Sequence, residues 1–404
     1  MVGGLLMELE DHNCWTIAEA VGHCGPHRLQ HLLSRAVWDE RRVLDAASAW
    51  AVSRLDDGDA VLIVDETADE KSSADAAGAA RQYSGTVGGI ALCQVAVTLT
   101  YATRRGHTLI DRALYLPEGC AADEEHRELA GIPDELVFAS KPRLADQLLE
   151  RTHSRGICAA FAVGDEVYGG RELRRSIRQL GMGYVMAVRA NHGLATSPGQ
   201  TVTAAGAARM IPARAWHRMR TGSGTKGIRH YDWAVLEVIS DDAPDGHDGG
   251  HSVLLIRRHR YTGTLSFYRC WTPGPVALSR LIGAAVIRWR IEEDHQLAKQ
   301  AAGLDAGQVI RWRSWHRWTA ICLLAYIYLA VAAATQRQQD TSPDLAELIP
   351  ITAPELLRLL RGTVIPPPRQ DRAHRLHWSY WRRRHQQRAR QAHQRWNAYA
   401  EATA

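Results

Sequence analysis

The chain has 404 residues, of which 46% are hydrophobic and 23% are charged, and its net charge is +5. This composition is typical of a soluble globular protein with two or three domains, and it argues against a disordered or fibrous chain. The seven cysteines include no C-x2-C pair. Their odd number and wide spacing argue against a disulfide framework and indicate a reducing compartment.

The first 57 residues predict a pair of helices. The segments IAEAVG and HRLQHLLSR lie on either side of a Gly25–Pro26 break, which is typical of a helix, a turn and a second helix. A plain helical hairpin is slightly favoured over a DNA-binding motif. Cys24, His27 and His31 have a spacing that zinc sites use, but exposed helix histidines are the better interpretation, because a tighter second pair of ligands is missing.

Three apolar runs predict strands that are buried on both faces of a sheet. The runs are Ala60–Val64, Cys158–Val163 and Tyr184–Val188. Asp65 and Asp165 follow the first two runs, and Ala91–Ala102 with His107–Pro117 predicts a hairpin between them. With helical segments before the second and third runs, this is the element order of an RNase H-like fold. The sequence therefore predicts an α/β protein with a mixed sheet flanked by helices.

The pattern changes after residue 203, where strands separated by Gly- and Asp-rich turns such as APDGHDGG predict a β-rich insertion. A role in the core is favoured over stacking on DNA for its tryptophans Trp216, Trp233 and Trp271. Pro275 then begins a long helix that Gly303 ends. The apolar run Trp318–Ala334 is marginal for a membrane span and predicts a buried core helix.

These patterns divide the chain into five parts. They are a helical N-terminal region (1–57), a first part of the core (58–203), the β insertion (204–275), a second part of the core (276–340) and a C-terminal helical basic tail (341–404). Between Arg372 and Ala400 the tail has eight arginines and no acidic residue, which suits a polyanion such as DNA. Its interleaved tryptophans favour, about equally, packing of the tail against the body.

Three carboxylates form a candidate metal site. Asp65 and Asp165 end neighbouring buried strands, where a charge must be hydrated, paired or bound to a metal. The segment RWRIEEDHQLAK supplies Glu292, which shares one helix face with Arg288 and Lys299. Oxygen ligands favour Mg²⁺ or Mn²⁺. For the helix alone, a salt-bridged surface face is the more common explanation.

The chain resembles the insertion-sequence DDE transposases whose third carboxylate lies in a Tyr-x2-Arg-x3-Glu-x6-Lys signature. Arg288, Glu292 and Lys299 match three of its positions, and Ala285 stands at the tyrosine position. The resemblance also rests on four segments in the family's order: VDET, RQYSG with CQVAV, GDEVYG, and RWRIEE with GLD.

The resemblance implies that Asp65, Asp165 and Glu292 are catalytic and bind two Mg²⁺ or Mn²⁺ ions, which promote cleavage at transposon ends and strand transfer into target DNA. It implies phosphate contacts for Arg288 and Lys299, and the tail adds Arg382, Arg383 and Arg384 as DNA-binding candidates. The implied partners are double-stranded DNA, as terminal inverted repeats and target, and a second subunit in a synaptic homodimer. The expected location is the bacterial cytoplasm, at the nucleoid and not in a membrane.

Two other functions stay open. A catalytically inactive, truncated or repurposed DNA-binding remnant is suggested by Ala285, by the Ala-rich segment Thr67–Ala80 and by the short region before Asp65. A nuclease on the same fold that hydrolyses DNA but never rejoins it is the third reading.

Overall fold

The computed structural model of the chain describes residues 1–85, 88–224, 227–244, 249–340 and 348–403. Its strands are β1 (Val61–Glu70), β2 (Ala80–Ser84), β3 (Gly89–Ala102), β4 (His107–Tyr115), β5 (Phe161–Gly164), β6 (Gly183–Val188), β7 (Gly193–Ser197), β8 (Gln200–Thr203), β9 (His217–Gly224), β10 (Gly227–Glu237), β11 (His251–Arg258) and β12 (Leu265–Thr272).

The helices alternate with these strands in the core and stand alone at both ends of the chain. They are α1 (Val2–Leu5), α2 (Cys14–Ala20), α3 (His27–Ser34), α4 (Glu40–Leu55), α5 (Glu118–Ala122), α6 (Glu124–Ala130), α7 (Lys141–Ser154), α8 (Arg171–Gln179), α9 (Ala204–Met210), α10 (Leu278–Ile287), α11 (Trp289–Ala302), α12 (Trp312–Gln339), α13 (Ala353–Thr363) and α14 (Arg372–Thr403).

The centre of the protein is a mixed sheet in which β4, β3, β1, β5 and β6 are neighbours in that order. β1 pairs with β3 in the antiparallel sense and with β5 in the parallel sense, and β5 is parallel to β6. The apolar runs form these central strands because helices cover both faces of the sheet. The prediction of an RNase H-like mixed sheet flanked by helices is confirmed.

The strands of the β-rich segment extend the same sheet. β12 pairs with β6, and β11, β10 and β9 follow outwards. Buried charges hold the junction together, because Arg174 and Arg178 of α8 both bond to the fully buried Asp242 that follows β10. Trp233 and Trp271 are buried, as predicted, whereas Trp216 is half-buried beside the guanidinium of Arg258.

Helix α12 passes through the core. By length and composition it could cross a membrane, yet 78% of its most apolar window is buried inside the protein. It packs mainly on α4, α11 and β4. The predicted buried core helix is therefore confirmed, and its apolar residues serve the fold.

The ends of the chain pack on each other. α2 and α3 form the predicted helix, turn and helix, and α14 crosses them with Trp378 fully buried. The rings of Trp15 and Trp381 meet edge to face at 4.7 Å. Packing of the tail's aromatic residues against the body is thus confirmed for Trp378 and Trp381, while Trp396 is 69% exposed.

Two predicted segments fall partly outside the described residues. They are the APDGHDGG turn and the C-terminal tail that begins at residue 341.

Candidate active site

Two aspartates lie side by side at the centre of the sheet. The parallel pairing of β1 with β5 ends at Val64 and Gly164, so Asp65 and Asp165 occupy the next position on each strand. The prediction that β1 ends at Asp65 is wrong. β5 ends at Gly164, directly before Asp165. β1 continues to Glu70, because β3 still pairs with it beyond Asp65, which lies opposite Thr98.

Arg288 joins the first and third predicted carboxylates. Its Nη1 lies 3.0 Å from Oδ2 of Asp65, and its Nη2 lies 2.6 Å from Oε1 of Glu292. The long helix predicted from Pro275 starts instead at Leu278, and α10 and α11 meet at Arg288, whose backbone keeps helical angles (φ −49°, ψ −34°). Gly303 ends α11 in the left-handed conformation, as predicted.

Asp65 and Glu292 share an open cavity of about 610 Å³, which Lys299 also lines. The helix face predicted for Glu292 and Lys299 therefore faces the site. Lys299 is already engaged, since its Nζ lies 3.0 Å from Oδ1 of Asp69 and 2.8 Å from the carbonyl oxygen of Ala68. Asp69 belongs to the segment that departs from the family pattern, and here it serves as the counter-ion of Lys299.

Asp165 lies at an adjoining cavity of about 410 Å³, whose lining also includes Arg288 and Tyr268. Its Oδ1 accepts a 2.8 Å hydrogen bond from the backbone N–H of Val167, which holds the side chain at the end of β5. Asp65 and Glu292 thus share Arg288 as a hydrogen-bond donor, and Asp165 lines the second cavity together with the same arginine.

The site is rich in negative charge. Burial raises the pKa of Asp65 to about 7, an effect that Arg288 opposes and Asp165 reinforces. Burial also raises the pKa of Asp165, and neighbouring Glu66 raises it further. Although burial alone would lower it, the carboxylates of Asp65 and Glu292 raise the pKa of Arg288. Such a site favours additional positive charge.

Sequence reasoning missed two residues that support the aspartates. Glu66 receives hydrogen bonds from Lys141, at 2.9 Å, and from the hydroxyl of buried Tyr168. Tyr168 lies in the GDEVYG segment, so its place beside the second aspartate was a signal. Glu66 lies in the VDET segment, but its role could not be predicted, because its contact with Lys141 depends on where α7 packs.

A second missed contact connects the strand of Asp65 with the helix of Glu292. The hydroxyl of Thr98 lies 2.7 Å from Nε2 of His295 and also donates to the carbonyl oxygen of Asp65 at 3.2 Å. His295 is one helical turn after Glu292 and is buried, and that burial lowers its pKa to about 4. The neutral ring therefore fixes α11 against β3.

The donor chemistry of the three carboxylates fits a hard divalent cation. In this structure Arg288 bridges two of them, Asp65 and Glu292. Within the described ranges, no three His, Cys, Asp or Glu side chains are grouped closely enough to hold a metal ion. The guanidinium of Arg288 lies between Asp65 and Glu292, where it neutralises part of their charge.

The predicted DNA-binding arginines of the tail lie elsewhere. Arg382 bonds to Glu19 on α2, while Arg383 and Arg384 are partly or fully exposed on α14. None of the three lines either cavity beside the carboxylates. His27 and His31 are exposed on α3, as expected for the interpretation that did not involve zinc.

Comparison with known proteins identifies the family. Residues 1–221 match the family model described as DDE superfamily endonuclease, and residues 139–328 match the model described as transposase DDE domain. Over 203 residues the chain is 27% identical to a probable transposase for insertion sequence element IS701 from Microchaete diplosiphon, which covers 49% of the chain. The chain spans about half the length of that relative, since the match covers 50% of it.

Among solved structures, the chain is similar to a piggyBac transposase determined by cryo-EM as a synaptic complex with hairpin DNA. The TM-score is 0.39 at 10% identity, with 79% of this chain and 56% of the other covered. The first match includes both Asp65 and Asp165, and the second includes Asp165 and Glu292. The chain belongs to the DDE superfamily of endonucleases.

Proposed function

We propose that this protein is a DNA transposase that cleaves DNA at the ends of a mobile element and joins the freed 3′ ends to target DNA. The observation that supports it most is the bridge from Arg288 to Asp65 and Glu292, with Asp165 following the strand that pairs with the strand of Asp65, in a chain of the DDE family. We assign the catalytic role to these three carboxylates, with Mg²⁺ or Mn²⁺ as the bound ion.

Divalent ions held by the three carboxylates would supply the activation of the attacking hydroxyl and the stabilisation of the leaving oxygen. The protein's own residues then have distinct tasks. Asp65 and Asp165 present their carboxylates from neighbouring strands, so the sheet fixes their separation. Glu292 approaches from α11, which the Thr98–His295 contact holds in place.

Arg288 and Lys299 are proposed to bind the DNA backbone. Each cation is paired with a carboxylate in this structure, which keeps it inside the site and oriented until a phosphate competes for it. Arg383 and Arg384 on α14 are proposed as further backbone contacts, outside the cavity. Two DNA ends brought together for joining would require two subunits, so we propose a homodimer acting on DNA in the bacterial cytoplasm.

The test uses a linear DNA fragment that carries the gene with its flanking sequence. Wild-type protein with Mn²⁺ should nick or cut this DNA at the element's ends and join the cut ends to a plasmid. Asp65→Asn, Asp165→Asn and Glu292→Gln should each abolish cutting while DNA binding persists. Glu293→Gln is the matched control, because its carboxylate lies one residue further along α11 and pairs with Arg290.

One observation favours a second function, DNA binding without catalysis. The described residues include no ready three-ligand group, and Arg288 lies where a cation between Asp65 and Glu292 would be expected. Binding that weakens steeply with salt, together with no metal-dependent cutting by the wild type, would establish this function and contradict the first. Cutting without joining of pre-cut ends would indicate a nuclease.

A further inference from the structure

Two exposed side chains form an apolar pair on the β2–β3 hairpin. Tyr83 and Ile90 are direct partners in the antiparallel register, so they lie on the same face of the hairpin. Their exposed fractions are 68% and 67%. Large apolar side chains on the other strands of the sheet are mostly buried. An exposed aromatic–aliphatic pair beside a cavity lined by charged residues therefore indicates a contact surface.

The hairpin carries this pair to the catalytic cavity. β1 pairs with β3 only as far as Glu70 and Cys93, so the part of the hairpin with Tyr83 and Ile90 extends past the end of β1. Tyr83 lines the cavity of about 610 Å³ together with Asp65 and Glu292. An exposed aromatic ring therefore stands at the mouth of the site where the scissile phosphate is proposed to bind.

Positive charge accompanies the ring. Arg81 lies two residues before Tyr83 on the same strand, hence on the same face, and it is exposed. Lys141 and Lys299 line the cavity itself. A ring flanked by cations is the arrangement that binds single-stranded nucleic acid, in which a base stacks on the ring and the adjacent phosphates meet the cations.

We propose that Tyr83, backed by Ile90, forms a subsite for an unpaired nucleobase of the DNA strand that enters the cavity. The subsite rests on the DNA function proposed above and adds to it how the strand is held beside the carboxylates. A pair of two apolar side chains is far too small for a stable protein interface, which buries roughly 800 Å² on each partner. The buried Trp233 and Trp271 present no comparable ring.

The test is a photo-crosslinking experiment on the full chain without divalent ions, so that it does not depend on cleavage. The probe is an oligothymidylate strand with one 5-iodouracil base, compared with a blunt duplex of the same length. We expect mass spectrometry to find the crosslink on Tyr83 with the single strand. Tyr83→Ala should weaken binding of the single strand roughly 5- to 150-fold, the loss of one stacked base, and Tyr83→Phe should bind almost as wild type does.

Tyr261→Ala is the matched control, because Tyr261 is 87% exposed in the loop between β11 and β12 and lines neither cavity. It should bind the strand as wild type does. A crosslink elsewhere, equal affinity of Tyr83→Ala and Tyr261→Ala, or a change of oligomeric state in Tyr83→Ala would overturn the subsite while leaving the DNA function intact. A wild-type chain that binds neither probe would overturn the DNA function itself.

Discussion

Nη1 of Arg288 lies 3.0 Å from Oδ2 of Asp65, so the residue between α10 and α11 is bonded to the central strand. The same guanidinium bonds to Glu292, one turn further along the helix. Arg288 is thus the internal cation of a site whose carboxylates repel one another. Its removal has consequences that can be measured without DNA.

Replacing Arg288 with alanine should lower stability in the absence of divalent ions. The substitution leaves Asp65 and Glu292 without their shared donor, at a cost of about 1–3 kcal/mol in the free energy of unfolding. Added Mn²⁺ should restore more stability to this variant than to wild type, since no guanidinium competes for the carboxylates. Urea unfolding with EDTA or Mn²⁺ measures both effects. Arg290→Ala is the control, because Arg290 is half exposed and bonds to Glu293 instead. Equal effects of Mn²⁺ on all three proteins would contradict the prediction.

The metal-free protein should lose stability as the pH rises towards neutrality. Burial raises the pKa of Asp65 from 3.8 to about 7, so between these values the folded protein holds a proton that the unfolded chain releases. Asp65 therefore contributes a fall in unfolding free energy with rising pH, at most about 1.4 kcal/mol per pH unit. Asp65→Asn lacks this titration, and its stability should change less over the same window. Urea unfolding in EDTA from pH ~4.5 to ~7.5 compares the two proteins; identical slopes would contradict the raised pKa.

Asp294 should matter for the fold although it lies two residues after Glu292, which we propose to be catalytic. It is fully buried and accepts hydrogen bonds from Thr100, His107 and Tyr326. Asp294→Ala leaves these donors unsatisfied and should cost about 3–5 kcal/mol of stability, while Asp294→Asn should cost less. Glu293→Gln, at a half-exposed position, should have little effect. Thermal and urea unfolding give the order of the three variants, and a stable Asp294→Ala protein would contradict the network.

The buried tryptophan of the tail should hold the two ends of the chain together. Trp378 is fully buried, and its ring N–H donates a 2.9 Å hydrogen bond to the carbonyl oxygen of His23. Trp378→Ala should destabilise the protein by about 3–5 kcal/mol, whereas Trp396→Ala, at an exposed position of the same helix, should have almost no effect. Urea unfolding followed by circular dichroism tests this pair. Similar stability of the two variants would show that α14 does not dock as described.

The arginines of α14 should differ in their contribution to DNA binding. Arg382 is tied to Glu19, whereas Arg383 and Arg384 can meet phosphates without breaking an ion pair. Each of Arg383→Gln and Arg384→Gln should reduce the slope of log K against log salt by about 0.9, if one phosphate contact is lost. Arg382→Gln should reduce it less. Fluorescence anisotropy with a duplex at several salt concentrations provides the slopes, and an unchanged slope in all three variants would exclude α14 from the DNA contact.

The central strands and the neighbouring aspartates could be predicted from the sequence because a strand buried on both faces is a continuous apolar run, and parallel strands end at the same edge. The continuation of β1 past Asp65 could not be predicted. It depends on the register with β3, which pairs Asp65 with Thr98 and is set by contacts distant in sequence. The mostly polar residues after Asp65, ETADE, gave no sign of it.

The contact between Arg288 and Asp65 had no local signal either, because the two residues lie on elements distant in sequence. The role of Asp69 could not be predicted for the same reason, because its partner Lys299 lies on another element, distant in sequence. The edge-to-face contact of Trp15 with Trp381 joins opposite ends of the chain, and composition indicated only that the tail's aromatics needed a partner.

Mn²⁺ binding, followed by electron paramagnetic resonance of the free ion, tests most directly whether the three carboxylates act as one site. We expect saturable binding by wild type and a loss of affinity of at least about tenfold in each of Asp65→Asn, Asp165→Asn and Glu292→Gln, equivalent to ~1.4 kcal/mol, with Glu293→Gln unchanged. If the four variants bind Mn²⁺ as wild type does, or if only one of the three carboxylates matters, the three residues do not share a cation and the proposed catalytic site is wrong.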